Sequence, residues 1–168
     1  FLYLNVMKDT IISVFKELYN SNDVPYNFPL YKVLERIRVG KSIEIVNKVR
    51  SAKTKDEADL IKSKLPCIIF GGEFRERNKN GLLKHSGLAV IDFDKYPDEK
   101  TMLDHFDLLK LNKHILTLFI SPSGKGIKGV FKIPVCNQYE HEKYFKAFDL
   151  EFQYDYFDKS NCNIDRVC

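Results

Sequence analysis

Missing from this chain is any apolar run near the roughly 20 residues that span a bilayer. The opening Phe1-Leu2-Tyr3-Leu4-Asn5-Val6 is too short for a signal peptide and has no charged segment before it. It lacks a Met, and the chain ends on the apolar Val167-Cys168, so we expect a protein that begins before and continues beyond these residues. The four cysteines (Cys67, Cys136, Cys162, Cys168) show no CxxC spacing, and three lie beside apolar residues. That argues against a zinc site and a disulfide framework, and leads us to expect reduced thiols in a cytoplasmic protein. No internal repeat or low-complexity segment occurs. The four histidines are scattered, with no pair one residue apart to hold a metal beside a tyrosine, which disfavours a replication-type nicking enzyme.

The 168 residues suffice for one domain with a real core, or one core plus a small appendage. Hydrophobic content of 44% and charged content of 30% place the chain among soluble globular proteins. A net charge of +4 is a mild lean towards a nucleic-acid partner.

The most informative stretch is Gly87-Leu88-Ala89-Val90-Ile91-Asp92-Phe93-Asp94-Lys95. Its apolar residues suit a buried central strand that runs into two aspartates. Strand alternation puts Asp92 and Asp94 on one face, roughly 6.5 Å apart along the backbone. Both can then lean onto one hard cation, or onto a pair of them. A buried carboxylate at a strand end is costly unless something positive compensates it. The plainer reading makes Asp92 a strand-end residue and Asp94-Lys95 the start of a polar turn.

Before this strand, Ile11 to Leu18 reads as a strand or a short helix and Asn20 to Pro29 as a loop. Leu30 to Val39 has helical spacing, with Gly40 as its stop. Ser42 is a candidate cap for a second helix carrying Ile43, Val46 and Val49 inward, and Lys53 to Lys64 reads as a third with Ala58, Leu60 and Ile61 as its apolar members. Arg36, Arg38, Lys41, Lys48, Arg50, Lys53 and Lys55 recur through this region, either as a solvated face or as contacts to a phosphate backbone. Cys67 to Phe70 is a short strand turned by Gly71-Gly72, and a charged loop with Arg75 and Arg77 leads to Leu82 to Ser86.

After the aspartates, Pro97-Asp98 opens a helix through Leu111 with Met102, Leu103, Phe106 and Leu109 as its stripe. His114 to Ile120 is a strand, Ser121-Pro122-Ser123-Gly124-Lys125-Gly126-Ile127-Lys128 a loop, and Gly129 to Val135 a strand. Small residues at such a hairpin tip let backbone N–H groups approach a phosphate, and Lys125 and Lys128 supply charge. It is not a Walker A loop, because the spacing differs and a strand follows rather than a helix. Asn137 to Tyr156 reads as an aromatic helix with Tyr144, Phe145, Phe148, Phe152 and Tyr156 in the core. Phe157-Asp158 then repeats the apolar-Asp pattern of Ile91-Asp92.

Taken together, Ile91-Asp92-Phe93-Asp94, Ser123-Gly124-Lys125-Gly126-Ile127-Lys128 and Phe157-Asp158 with Arg166 resemble the three motifs of the archaeo-eukaryotic primase (primase-polymerase) superfamily. Lys128 stands where that family usually has a histidine. Leu65-Pro66-Cys67-Ile68-Ile69-Phe70-Gly71-Gly72-Glu73-Phe74 and His85-Ser86-Gly87-Leu88 resemble its VirE-like N-terminal domain branch, of phage and Bacteroides type.

The resemblance implies a template-dependent nucleotidyltransferase. Mg²⁺ or Mn²⁺ would be held by Asp92, Asp94 and Asp158, with Asp165 competing for the third place. Ser123, Gly124, Lys125, Gly126, Lys128 and Arg166 would hold the triphosphate. It further implies a DNA template or primer, nucleoside triphosphates, and a helicase or P-loop domain further along the natural chain, in a bacterial cell or phage-infected host.

The expected fold is α+β. Residues 1–64 form an N-terminal helical portion packed on a catalytic core over residues 65–168. That core has a mostly antiparallel, RRM-like sheet, the acidic strand central and helices on one face. The rivals are a non-catalytic module of the same fold binding nucleotides or single-stranded DNA, a metal-dependent nuclease, and an ordinary α/β domain whose three aspartates lie far apart.

Overall fold

The computed structural model of the chain describes residues 8–16, 18 and 23–168. The opening Phe1 to Val6 and residues 20–22 of the expected loop lie outside them. The described residues form a mixed α/β fold with five helices, in which every strand pairing is antiparallel. None of the helices is long and apolar enough to cross a membrane.

The chain enters on strand β1 (Ile11–Phe15), which pairs with β2 (Tyr26–Pro29) on one side and β3 (Cys67–Ile69) on the other. Three helices lie between β2 and β3: α1 (Leu30–Arg38), α2 (Ile43–Ser51) and α3 (Lys55–Lys62). Residues 26–29, expected in a loop, are therefore a strand, and the helical portion contributes strands to a sheet shared with Cys67–Ile69. Two prolines and a polar flank hid the pairing of Tyr26 with Val14 and Phe28 with Ile12. Ser42 makes no side-chain cap, whereas Thr54 caps α3 by accepting from the Glu57 N–H at 3.2 Å. Ile43 and Leu60 are exposed rather than inward, since short helices at the rim bury a narrow stripe.

A small hairpin of β4 (Gly72–Phe74) and β5 (Leu82–His85) follows. The acidic strand is β6 (Leu88–Phe93), and all six of its residues are buried. Next come α4 (Glu99–Leu109), β7 (Ile115–Ile120), β8 (Ile127–Lys132) and α5 (Gln138–Phe152). Asp98 caps α4 by accepting from the Thr101 N–H at 2.7 Å, and Asn137 with Glu140 forms a capping box on α5. The aromatic helix ends at Phe152, where Gln153 turns left-handed, so Tyr156 belongs to the following segment. Tyr144 is exposed, while Phe145 and Phe148 are buried.

The named strands pair in the order β6-β8-β7, so β8 is in the middle and β6 is not, contrary to expectation. The free edge of β6 is nonetheless covered. Phe157 forms an antiparallel bridge to Phe93, the Asp94 N–H donates to the Tyr156 carbonyl at 3.0 Å, and the Asp158 N–H donates to the Asp92 carbonyl at 2.9 Å. Buried backbone groups need partners, and this short segment supplies them. Counted with it, the chain runs β-α-β-β-α-β, the split β-α-β order.

The sheet is packed on both faces rather than one. Ala89, Ile91 and Phe93 lie with Met102 and Leu109 of α4 and Phe145 and Phe148 of α5. Leu88 and Val90 alternate to the other face, against Ile12, Leu30, Val33 and Phe70. That second face is the one that carries Asp92.

Candidate functional site

Strand alternation places Asp92 with Leu88 and Val90, on a face that is otherwise apolar. The Asp92 side chain is 11% exposed, so its carboxylate needs compensation. Register provides it: Asp92 stands directly across from Lys128 of β8. The Lys128 Nζ donates to Asp92 Oδ1 at 2.6 Å, and its side chain is 15% exposed. Burial works against the charge on Lys128, but the negative charge that Cys168 carries as a thiolate and the Asp92 carboxylate outweigh it and hold the ammonium above its usual range.

The other carboxylate oxygen meets residues from far along the chain. Asn161 Nδ2 donates to Asp92 Oδ2 at 3.1 Å and to Asp158 Oδ2 at 2.9 Å. One amide thus joins two carboxylates separated by 66 residues. Asn161 is 1% exposed, and its Oδ1 is buried without a hydrogen-bond partner. The Asp158 Oδ1 accepts from the Ser160 N–H at 3.0 Å and the Ser160 hydroxyl at 2.7 Å. Burial pushes the Asp158 carboxyl up, but these Ser160 bonds, the Arg166 charge and Asn161 together bring it below its ordinary value. The guanidinium of Arg166 lies 3.8 Å from Asp92 Oδ2.

Of the expected site residues, Asp92, Asp158, Lys128 and Arg166 are therefore brought together. Asp158, rather than Asp165, shares a hydrogen-bond partner with Asp92. Asp94 falls one residue past the strand and is exposed, but it lines the same cleft as Asp158, a space of about 380 Å³ whose walls include Lys95, Tyr156 and Ser160. Lys95 and Tyr156 both have φ of 62°. A left-handed tyrosine is an outlier that costs on the order of 1–3 kcal/mol, and such outliers gather at functional sites.

The glycine hairpin abuts the acidic strand end. A Cβ on Gly126 would lie 2.7 Å from the Phe93 carbonyl oxygen, so only glycine lets the two backbones pass this closely. The turn is closed by the Gly124 N–H donating to the Ser121 carbonyl at 2.9 Å, with Gly124 at φ 75°. The Ser121 and Ser123 hydroxyls are 3.0 Å apart, and Lys125 is exposed at the tip.

Two contributors were not legible as site residues. Arg50, one of the basic series, reaches the hairpin from the last turn of α2 and donates through Nε to the Pro122 carbonyl at 3.3 Å. Arg38, by contrast, pairs with Glu35 at 2.7 Å on the surface, and Arg75 with Glu76 at 3.5 Å. Asn161 left a signal, an Asp-Lys-Ser-Asn run of turn-forming residues that folds it back over Asp158.

Among the described residues, no three His, Cys, Asp or Glu side chains stand together as a metal-binding group. Asp92 and Asp158 bring two carboxylates to one amide, whose own Oδ1, at the end turned away from them, is buried without a partner; these are oxygen donors of the kind a hard divalent cation takes.

A family model described as BT4734-like, N-terminal domain, matches residues 60–168. No curated protein matches the chain, and no solved structure does.

Proposed function

The chain belongs to the family of BT4734-like N-terminal domains, and from that membership and the site geometry we propose that it is a primase-polymerase catalytic core, joining nucleotides on a DNA template. The observation that carries this reading is the Asn161 amide holding Asp92 and Asp158 together at 3.1 and 2.9 Å, beside a glycine hairpin packed on the same strand end. The split β-α-β sheet supports it, since it places Asp92 and Lys128 on neighbouring strands and Asp158 on the bridge that closes the edge.

Asp92 and Asp158, with Asp94 at the cleft, are the residues to hold Mg²⁺ or Mn²⁺. Bound there, such ions would stabilise charge on the attacking and leaving oxygens of nucleotidyl transfer. Ser123, Gly124, Lys125 and Gly126 bind the triphosphate at the hairpin, with Arg50 adding positive charge on its outer side. Lys128 cannot serve Asp92 and a phosphate equally. Neutralising Asp92 by a cation frees its ammonium to turn towards the triphosphate. Arg166, exposed and close to Asp92, contributes a guanidinium suited to two phosphate oxygens.

Extension of a primed template in the presence of Mn²⁺ and nucleoside triphosphates tests this. Asp92→Ala should lower the rate by about a hundredfold or more, the loss usual for a preorganised charge-stabilising group. A second reading, a non-catalytic module that binds nucleotides or single-stranded DNA, is favoured by one observation: Lys128 already neutralises Asp92. Nucleotide binding by the wild-type chain with no extension in Mn²⁺ decides for that reading.

A further inference from the structure

Asn161 has a side chain that is almost wholly buried, with its two ends treated unequally. Its Nδ2 serves two carboxylates, while its Oδ1 has no partner. A buried carbonyl left unsatisfied costs roughly 1–3 kcal/mol. The orientation is set by charge: without a cation, an amide oxygen turned towards Asp92 and Asp158 would face two like partial charges, so the nitrogen goes there instead. A divalent ion between the carboxylates reverses that preference.

We propose that Asn161 is a third oxygen donor to the cation of this site. Its amide turns over on binding, so that Oδ1 replaces Nδ2 beside Asp92 and Asp158. Through Nδ2 the same side chain also holds the two acids in register. The residue therefore has two roles: its Nδ2 donates hydrogen bonds to the two carboxylates, and its Oδ1 gives a lone pair to the ion when one binds. This rests on the metal-dependent reading above.

Mn²⁺ titration followed by electron paramagnetic resonance, with thermal unfolding in parallel, separates the ligand role from a merely structural one. Asn161→Leu keeps the volume and loses both functions. Asn161→Asp keeps the oxygen and loses the donor. Asn161→Leu should bind Mn²⁺ at least about tenfold more weakly than wild type, the usual scale for losing a group that supports a metal site. Asn161→Asp should bind it within about threefold of wild type or more tightly, with a third carboxylate in place of the amide.

The thermal midpoint of Asn161→Asp should fall in chelator and recover in saturating Mn²⁺, with a larger rise than wild type gives. Should Asn161→Leu fail to fold, that comparison decides alone: an equal or smaller rise overturns the proposal. Weakening of both variants by a similar factor, or of neither, also overturns it while leaving the nucleotidyltransferase reading intact. A wild-type chain that binds no Mn²⁺ removes both.

Discussion

Asp92 and Lys128 form the site's most exacting contact. Both side chains are largely buried, and their 2.6 Å separation is a charge-assisted bond in a poorly solvated setting. Removing one partner of such a pair leaves the other charge stranded, at a cost of about 3–5 kcal/mol in the general case. Asn161 and Arg166 still face Asp92, so Lys128→Met should cost about 2–3 kcal/mol by urea unfolding. Adding Asp92→Leu to it should restore most of that loss. A single-variant cost below about 0.5 kcal/mol would mean that solvent screens the pair as it does on a surface.

At this scale Asp92 was legible, because an apolar run broken by a carboxylate carries its own anomaly. Asn161 was legible only as part of a turn: the Asp-Lys-Ser-Asn run marks the turn, while its burial against two acids marks the site. Lys128 was expected in the loop as a triphosphate ligand; it lies instead on strand β8, and sequence does not show that Asp92 lies directly across the ladder from it.

Among the elements, the hairpin between β7 and β8 depends on a close backbone passage. A methyl at Gly126 would meet the Phe93 carbonyl oxygen at 2.7 Å, and a main-chain oxygen cannot swing aside as a side chain can. Gly126→Ala should cost about 1–3 kcal/mol and weaken binding of a fluorescent nucleoside triphosphate about tenfold by displacing the turn from the strand end. Lys125→Ala, at an exposed tip, should weaken the same binding with little change in stability. Equal nucleotide affinity for Gly126→Ala and wild type would detach the hairpin from the site.

The existence of strands β6, β7 and β8 and of helices α4 and α5 was readable, but β8 begins at Ile127, inside the expected loop, and Leu103 of α4 and Tyr144 of α5 are exposed rather than in the expected core stripes. The strand Tyr26–Pro29 was not, because three of its four residues are exposed and none of its local signals outweighs two prolines. Nor was the edge position of β6, since pairing order is a long-range property that a burial pattern leaves open.

Across the whole molecule, a buried histidine pair ties β5 to α5. The Gly87 N–H donates to His85 Nδ1 at 2.9 Å, so His85 Nε2 carries the proton and donates to His141 Nδ1 at 3.0 Å. Burial pushes His141 down to about 4, with the His85 charge adding to it, and burial lowers His85 as well. An unfolded histidine titrates near 6.5. Between roughly 6.5 and 4 the unfolded chain thus binds more protons than the native one, and stability falls as pH falls through that window. The slope is up to about 1.4 kcal/mol per pH unit for each histidine, and His105, also lowered by burial, adds in the same direction. Urea midpoints should drop between pH 7 and pH 5, and His141→Gln should flatten that decline. A midpoint unchanged over this range contradicts the buried neutral pair. His85 stood out in the sequence only through a family resemblance, and its packing against His141 depends on helix α5 arriving 56 residues later.

The segment from Tyr156 to Cys168 borders β6 at one end and β3 at the other, where Cys168 exchanges backbone hydrogen bonds with Ile68 at 3.1 and 2.8 Å. A ribosome delivers that stretch after every element it docks on. Its Phe157, Ile164 and Val167 pack into the hydrophobic clusters, so docking of this one segment completes the core and brings Asp158, Asn161 and Arg166 to Asp92 together. A chain still lacking this segment would leave the edge of β6 uncovered and the buried Asp92 carboxylate short of its Asn161 and Arg166 neighbours.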